Sequence, residues 1–199
     1  KTLGYEVSSS RAPKGIVDIR LNTTSIDSAT MPAGTVFTTS VEGTSYQFVT
    51  IADVTSTNNG GTVSFDSTKI YEGTYVTTKF LVDTSDIEQR FLLGNDRADT
   101  STLSVKVQTS ASDTTTTTYT KATDITQLSS TSTVYYLQEV DAGRFEVYFG
   151  DGVVSRSLSD DNIVIMEYVV TNKTLSNGAS SFSAPSLIDG VSDITITTV

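Results

Sequence analysis

The chain has 199 residues with no Cys and no His, which excludes disulfides, thiolate nucleophiles and imidazole-based acid–base or metal chemistry. Its formal net charge of −10 disfavours nucleic-acid binding, because that binding needs Lys and Arg to neutralise phosphates. Ser and Thr make up about 30% of the residues, and β-branched Thr favours half-solvated strands, so the composition predicts an all-β protein. No apolar run approaches the ~18 residues of a membrane-spanning helix.

Alternating apolar and polar residues predict strands through the first half of the chain. The run from Ile16 to Leu21 places its apolar side chains on one face. Pro13 holds the residue before it in an extended conformation ahead of this strand. Turns rich in Gly and Asn separate the further predicted strands, which lie at residues 35–39, 46–51, 62–65, 69–71 and 74–82.

One short helix is predicted near residues 85–92. Ser85-Asp86-Ile87-Glu88 matches a capping box, and Gly94 follows as a stop signal. In this helix Ile87 and Phe91 would face inward. At about eight residues the helix needs tertiary contacts for stability, so an irregular loop is the open alternative.

The second half of the chain contains the clearest hairpin. Two alternating runs, Tyr135–Val140 and Arg144–Phe149, are joined by the turn Asp141-Ala142-Gly143. The apolar run at residues 162–171 follows at the spacing of a strand paired with this hairpin. The polar run at 110–120 predicts a long exposed loop or an edge hairpin. Apolar residues between 188 and 196 predict a final strand that pairs elsewhere in a longer parent protein.

The predicted fold is therefore all-β, mainly antiparallel and β-sandwich-like, with at most one or two short helices. A polar connector near residues 94–99 separates a first β subdomain at 10–94 from a second at 95–172. The second contains the Phe149-Gly150-Asp151-Gly152 hairpin, and residues 173–199 form a polar tail and final strand. Because the sequence begins with Lys1 rather than Met, we expect the chain to be a fragment of a longer protein.

Acidic residues are the candidates for metal chemistry. Asp151, Asp160 and Asp161 flank one turn, and carboxylates are hard oxygen ligands suited to Ca²⁺. The spacing is not that of an EF-hand, however, and Gly-Asp-Gly is also a common tight turn. We therefore interpret Gly150, Asp151 and Gly152 as a structural turn, one that needs residues able to adopt positive φ.

Two further constellations near the hairpin have ordinary structural explanations. Glu139 and Glu146 lie on facing strands like a glycosidase pair, but the alternation places Glu146 on the solvated face. No Trp is present to stack on a sugar ring. The nearby tyrosines are interpreted as cross-strand packing partners rather than a ligand platform. The sequence accordingly predicts no catalytic residue, no metal and no cofactor.

A series of short motifs spans residues 10–180, each occurring once. They are Ser10-Arg11-Ala12-Pro13, Met31-Pro32-Ala33-Gly34-Thr35-Val36-Phe37, Ile70-Tyr71-Glu72-Gly73-Thr74, Asp99–Val107, Phe149-Gly150-Asp151-Gly152, Asn162–Ile165, Tyr168 and Asn177-Gly178-Ala179. Taken together they resemble the baseplate wedge and J-like baseplate proteins of contractile-tailed phages. The sequence departs from the family pattern at Val154-Ser155-Arg156, where the family often has a small residue or Gly before a basic one.

The resemblance implies a structural role without catalysis. A protein of this kind associates with itself and with other baseplate wedge proteins into a ring that couples host attachment to sheath contraction. It would be assembled in the host cytoplasm and located in the tail baseplate of the virion. The alternative function is a Ser/Thr-rich surface adhesin or a carbohydrate-binding β-sandwich module, which the lack of Trp disfavours.

Overall fold

A computed structural model describes residues 8–140 and 143–199, and strands dominate these ranges. The strands are β1 (Lys14–Asn22), β2 (Ser28–Met31), β3 (Val36–Val41), β4 (Thr44–Val49), β5 (Val54–Asn59), β6 (Thr62–Glu72), β7 (Thr74–Leu81), β8 (Phe91–Leu92), β9 (Ala98–Gln108), β10 (Thr116–Lys121), β11 (Val134–Glu139), β12 (Phe145–Tyr148), β13 (Ile163–Val170) and β14 (Ile194–Thr198). Short 3₁₀ helices occupy Ile125–Gln127 and Lys173–Ser176. The all-β prediction is confirmed. In the described ranges, no helix has the length and hydropathy needed to cross a membrane.

The chain forms two compact units, and we call the one built from Arg11–Tyr75 and Val169–Val199 unit 2. Its sheet has the order β14-β1-β6-β4-β3, with β5 joining β2 to β6, and its pairs are antiparallel. The inward face of β1 supplies core residues, as its alternation predicts. The buried core comprises Val17, Ile19, Leu21, Ala29, Met31, Phe37, Phe48, Val63, Phe65, Ile70, Phe182, Ile188 and Val191.

Unit 1 comprises Val76–Tyr168 together with residues 8–10. Its sheet has the order β7-β13-β9-β10-β11-β12-β8. The pairs β9–β10, β11–β12 and β8–β12 are antiparallel, whereas β10 and β11 are parallel. A row of edge-to-face rings runs through this unit at centroid distances of 5.3–5.6 Å, made by Phe80, Phe91, Phe149 and Tyr119. Such contacts add to the stability gained from burying the rings.

The hairpin predicted at 135–149 is confirmed, because β11 and β12 pair antiparallel. Asp141 and Ala142 of its predicted turn lie outside the described residues. The polar run at 110–120 becomes the second arm of a hairpin, since β10 pairs antiparallel with β9. This hairpin does not lie at the edge of the sheet, because β11 pairs with the far end of β10.

The helix predicted near 85–92 does not form. The Asp83 carboxylate accepts hydrogen bonds from both the backbone N–H and the hydroxyl of Ser85, and Asp86 accepts one from the backbone of Glu88. These local bonds stabilise two successive turns that compete with a helix. Of the two residues predicted to face inward, Ile87 is 92% exposed, whereas Phe91 is buried as part of β8.

Two strands form where predicted but pair with other partners. The strand at 162–171 is β13, yet its neighbours are β7 and β9 rather than β12. Hydrogen bonds from Asp161 N to Val82 O and from Val82 N to Asn162 O guide the chain to that position. The final strand is β14, and it pairs within the chain, with β1, rather than elsewhere in a parent protein.

The compact units divide the chain differently from the predicted boundary at residues 94–95. The predicted boundary was based on local composition. The compact units instead group residues 169–199 with residues 11–75, because the last segment folds back into unit 2. That segment was predicted to be largely a polar tail, but it contributes apolar side chains to the core of unit 2. Phe182 packs edge-to-face on Phe48 at a centroid distance of 4.9 Å, and Ile188 is buried.

Candidate functional site

The loop that follows β12 is held by its own backbone and by one aspartate. Gly152 N donates to Ser155 O at 2.9 Å, and Val153 N donates to the Asp151 carboxylate at 3.0 Å. The hydrogen bond from Val153 lowers the pKa of Asp151, since it favours the charged form. Gly152 has φ +87°, a conformation that glycine adopts without strain.

Gly150 is needed in this loop for a different reason from Gly152. Its φ lies outside the left-handed region, but a Cβ there would overlap Ser155 Oγ and lie 2.6 Å from Ser155 O. Ser155 is fully buried, and its hydroxyl is 3.3 Å from the hydroxyl of Tyr136. Glycine at 150 therefore permits close packing of the loop on itself, and positive φ is required at only one of the two glycines.

Gly150→Val is expected to destabilise unit 1 by about 1–3 kcal/mol, the usual range for overpacking a buried contact. Because Gly94 has open space around its Cβ position and no positive φ, Gly94→Val serves as the control. We expect the control to stay within about 0.5 kcal/mol. Urea unfolding of both variants measures the difference, and equal midpoints would contradict the close-packing assignment.

A groove of about 330 Å³ lies beside this loop in unit 1. Its lining includes Phe91, Val147, Phe149, Gly150 and Leu158. Arg90 and Glu146 form a two-pronged ion pair next to it, with Nε–Oε1 and Nη2–Oε2 distances of 3.0 and 2.7 Å. The prediction that Glu146 faces solvent is wrong: the residue is 8% exposed, because the guanidinium neutralises the carboxylate and satisfies both oxygens.

The glycosidase arrangement is excluded by the register of the hairpin. Glu146 lies opposite Gln138, whereas Glu139 lies opposite Phe145. Side chains directly opposite each other share one face of a sheet, so the two carboxylates point to opposite faces. They cannot flank one glycosidic bond.

The ion pair with Arg90 gives Glu146 a pH-dependent contribution to stability. The hydrogen bonds and charge of Arg90 lower the pKa of Glu146 below its usual value. A lowered folded-state pKa means that the contribution is complete above the unfolded value of about 4.3 and is lost as the pH falls through the folded value.

The melting temperature of the wild type should therefore exceed that of Glu146→Gln at pH 7, and the gap should close as the pH falls below about 4. Comparing the two proteins isolates Glu146 from the other carboxylates that titrate in this range. A gap that is independent of pH would contradict the role of the ion pair, and a gap that widened in acid would reverse its sign.

The acidic residues around the loop do not assemble a metal site within the described ranges, where no group of three or more potential ligands occurs. The Asp160 carboxylate instead accepts from Thr84 N at 3.0 Å, and that of Asp151 accepts from the backbone within its own turn.

The tyrosines of the hairpin are packing partners, as the sequence predicts. Tyr136 and Tyr148 are directly opposite and stack with centroids 5.1 Å apart and planes 20° apart. Tyr135 is buried on the other face, and this burial raises the pKa of its hydroxyl.

Unit 2 contains a buried carboxylate that sequence reasoning did not identify. Glu72 is 0% exposed and accepts hydrogen bonds from Thr171 Oγ1 at 2.6 Å, Asn172 N at 2.9 Å and Asn172 Nδ2 at 2.8 Å. Glu72 is the last residue of β6, and Gly73 forms a one-residue bend between β6 and β7. The sequence singled out Glu72 only as part of the motif Ile70–Thr74, and nothing in that motif indicated that its side chain is buried.

Gly73 brings this bend against the returning segment. It has φ +127°, and a Cβ there would overlap Val170 O and lie 2.9 Å from Val169 Cγ1. Glu72 and Gly73 thus act together: the glycine allows the backbones to approach, and the carboxylate binds the residues that follow β13.

Comparison with known proteins identifies the family. Residues 76–179, which are 104 of the 199 residues, match the family described as "Bacteriophage baseplate wedge protein gp6, third domain". The chain belongs to this baseplate wedge family. It is also similar to "Baseplate wedge protein gp6" of Enterobacteria phage T4, with 32% identity over 82 residues that cover 34% of this chain and 12% of that relative.

The family match confirms the resemblance noted in the sequence, and the chain is a structural component of a phage tail baseplate. The matched region of this baseplate wedge protein begins at Val76, where the main segment of unit 1 begins. It includes the loop at 150–155 and also Thr171 and Asn172, the residues that bind Glu72. The close-packed glycines and the buried carboxylate are structural features of the fold.

Proposed function

We propose that this chain associates with itself and with neighbouring wedge proteins into a ring that couples host attachment to sheath contraction. The observation that carries the proposal is the family match over residues 76–179. Ring formation requires contact surfaces on each subunit, and coupling requires that these contacts be exchanged between two arrangements of the assembly.

Two loops of unit 1 supply a candidate surface for contact with neighbouring wedge proteins. The turns at 83–90 present Ile87 and the loop at 150–158 presents Val153, which is 72% exposed. Residues of both loops line the 330 Å³ groove. Exposed apolar side chains beside a groove are a common feature of protein–protein interfaces.

The proposal is tested by purifying the tagged full-length protein from phage-producing cells and identifying the proteins that accompany it. We expect recovery within a tail-like particle together with sheath and other baseplate proteins. Recovery of the protein alone, or from the cell surface without such companions, would overturn the proposal and favour an adhesin.

Charge substitution tests the contact surface separately. The double variant Ile87→Glu/Val153→Glu is expected to stay folded, since both side chains are exposed, but to be lost from the particle. Ile125→Glu is the matched control, because Ile125 is also an exposed apolar residue of unit 1 but lies outside the two loops whose residues line the groove. Equal incorporation of all variants would show that neighbouring proteins bind elsewhere.

A further inference from the structure

The chain contains two Asn-Gly pairs, Asn59-Gly60 and Asn177-Gly178, and both are exposed on unit 2. Asparagine before glycine is chemically labile, because glycine has no side chain to keep its backbone nitrogen away from the asparagine side-chain carbon. Within residues 8–140 and 143–199, neither asparagine side chain has a hydrogen-bond partner. The two pairs therefore differ in how their backbones are held.

Asn177 and Gly178 form the centre of a tight turn. Asn177 has φ −61° and ψ 136°, Gly178 has φ +97°, and Ala179 N donates to Ser176 O at 3.2 Å. These are the angles and the hydrogen bond of a type II turn. Both flanks of the turn are anchored, since Ser176 is buried and Ala179 packs against the core of unit 2.

The peptide between Asn177 and Gly178 can turn over while both flanks stay in place. Type I and type II turns differ mainly by a flip of this central peptide and share the same closing hydrogen bond. Glycine permits either form, because it adopts φ of both signs. During the flip the Gly178 nitrogen can reach the side-chain carbon of Asn177. In the described part of the chain the Gly178 N–H has no partner that this movement would remove.

The backbone of the other pair is held in a hairpin. Asn59 pairs with Thr62 where β5 turns into β6. Gly61 in this turn is fixed from two sides: its N–H donates to the Asn58 side-chain carbonyl at 2.9 Å, and its carbonyl accepts from Thr23 N at 3.0 Å. Rotation of the peptide after Asn59 would break its pairing with Thr62, so the same reaction is opposed by the sheet.

We propose that Asn177 is a site of spontaneous deamidation in the folded protein, and that the hairpin protects Asn59. The Gly178 nitrogen attacks the side-chain carbon of Asn177 and closes a succinimide ring. The proton of the attacking nitrogen leaves with the side-chain amide nitrogen as ammonia. Water then opens the ring at either carbonyl, which gives aspartate or isoaspartate. Water is the only co-reactant, and the new carboxyl group ionises at neutral pH.

Such a modification would accumulate in a virion component, because a protein in an assembled particle is not replaced by new synthesis. Each event adds one negative charge to the formal net charge of −10. Isoaspartate also lengthens the main chain within the turn, in the segment that follows Asn172 and its hydrogen bonds to Glu72. The modified fraction would therefore increase with the age of a particle.

Trypsin separates the two sites for measurement, since it cleaves after Lys and Arg. Peptide 174–199 contains Asn177 as its only amide side chain, whereas Asn59 lies in peptide 21–69. The folded chain is incubated in neutral buffer, and mass spectrometry follows the mass gain of each peptide against an unincubated sample. Fragmentation identifies the modified residue. We expect Asn177 to react roughly tenfold faster than Asn59 or more, because opening the pair with Thr62 adds to the barrier at Asn59.

Unfolding and substitution provide the controls. In guanidinium chloride neither backbone is held, so the two asparagines should react at similar rates. Asn177→Gln changes only an exposed side chain and should abolish the mass gain in peptide 174–199 while leaving peptide 21–69 unchanged. Anion exchange of the intact chain should show the more acidic species in the wild type and far less of it in this variant.

An Asn177 that stays intact in the folded chain but reacts in the unfolded chain would overturn the inference. Equal rates at the two asparagines of the folded chain would also overturn it, because the hairpin would then give no protection. These outcomes leave the baseplate role standing, since that role is tested by co-purification with tail particles. Loss of the baseplate role would in turn leave the measured rates unchanged.

Discussion

Gly73→Ala is expected to destabilise unit 2 by about 3–5 kcal/mol, the sum of a strained backbone and an overpacked contact. At φ +127° an L-residue is strained, and the new methyl group would meet Val170 O and Val169 Cγ1. The neighbouring backbone cannot move away easily, because Asn172, two residues further on, is bonded to Glu72.

Calorimetry measures this effect, since it can resolve separate transitions for the two units. Gly43→Ala is the matched control: Gly43 also belongs to unit 2 and has φ +81°, but nothing lies within 4 Å of its Cβ position. It should cost only the backbone strain, about 1–2 kcal/mol. If the two variants had equal stability, the close approach of Gly73 to Val170 would be disproved.

Glu72→Ala should destabilise unit 2 by a similar amount, about 3–5 kcal/mol. The substitution removes a buried carboxylate and leaves its donors on Thr171 and Asn172 without their acceptor. Thr171 is buried, so its hydroxyl would carry the full cost of desolvation, whereas the exposed Asn172 can bond to water. The shorter side chain also leaves a cavity.

Glu72→Gln separates the hydrogen bonds from the packing. The amide keeps the volume of the side chain, and its oxygen can still accept from Thr171 Oγ1 and Asn172 N, while the side-chain amide of Asn172 turns to accept from the new NH₂ group. Urea unfolding should therefore show less than half the loss seen for Ala. A Gln variant as unstable as Ala would indicate that the negative charge itself, rather than the acceptor geometry, stabilises this site.

Local pattern was sufficient to predict many strands but not their neighbours. The alternation of residues 16–21 correctly identified the buried face of β1, because the period of two depends only on the strand itself. It could not show that β14 pairs with β1 or that β13 lies between β7 and β9, since those pairings join residues far apart in sequence. The strand at 28–31 was missed because its alternation, with Ala29 and Met31 buried, extends over only four residues. The strand at 54–59 was missed because its sequence is almost entirely polar.

The candidate site was predicted in part. The sequence singles out the glycines at 150 and 152, but it cannot distinguish a position that needs a positive φ from one that needs a close contact. Glu146 was wrongly predicted to face solvent because the alternation of its strand places it on the polar face. Nothing in that strand indicates that Arg90, which directly precedes β8, neutralises its carboxylate. Glu72 was missed for the same reason: its partners lie about a hundred residues away.

The two-segment construction of unit 2 has a consequence for synthesis on the ribosome. Residues 11–75 emerge first, and the ribosome then needs roughly 5–20 s to add residues 76–168 before the rest of the unit begins to appear. Throughout that interval Glu72 lacks its donors, Phe48 lacks Phe182, and β1 lacks its partner β14. The main segment of unit 1 is contiguous and can complete its sheet earlier, so unit 1 can fold before the two segments of unit 2 meet.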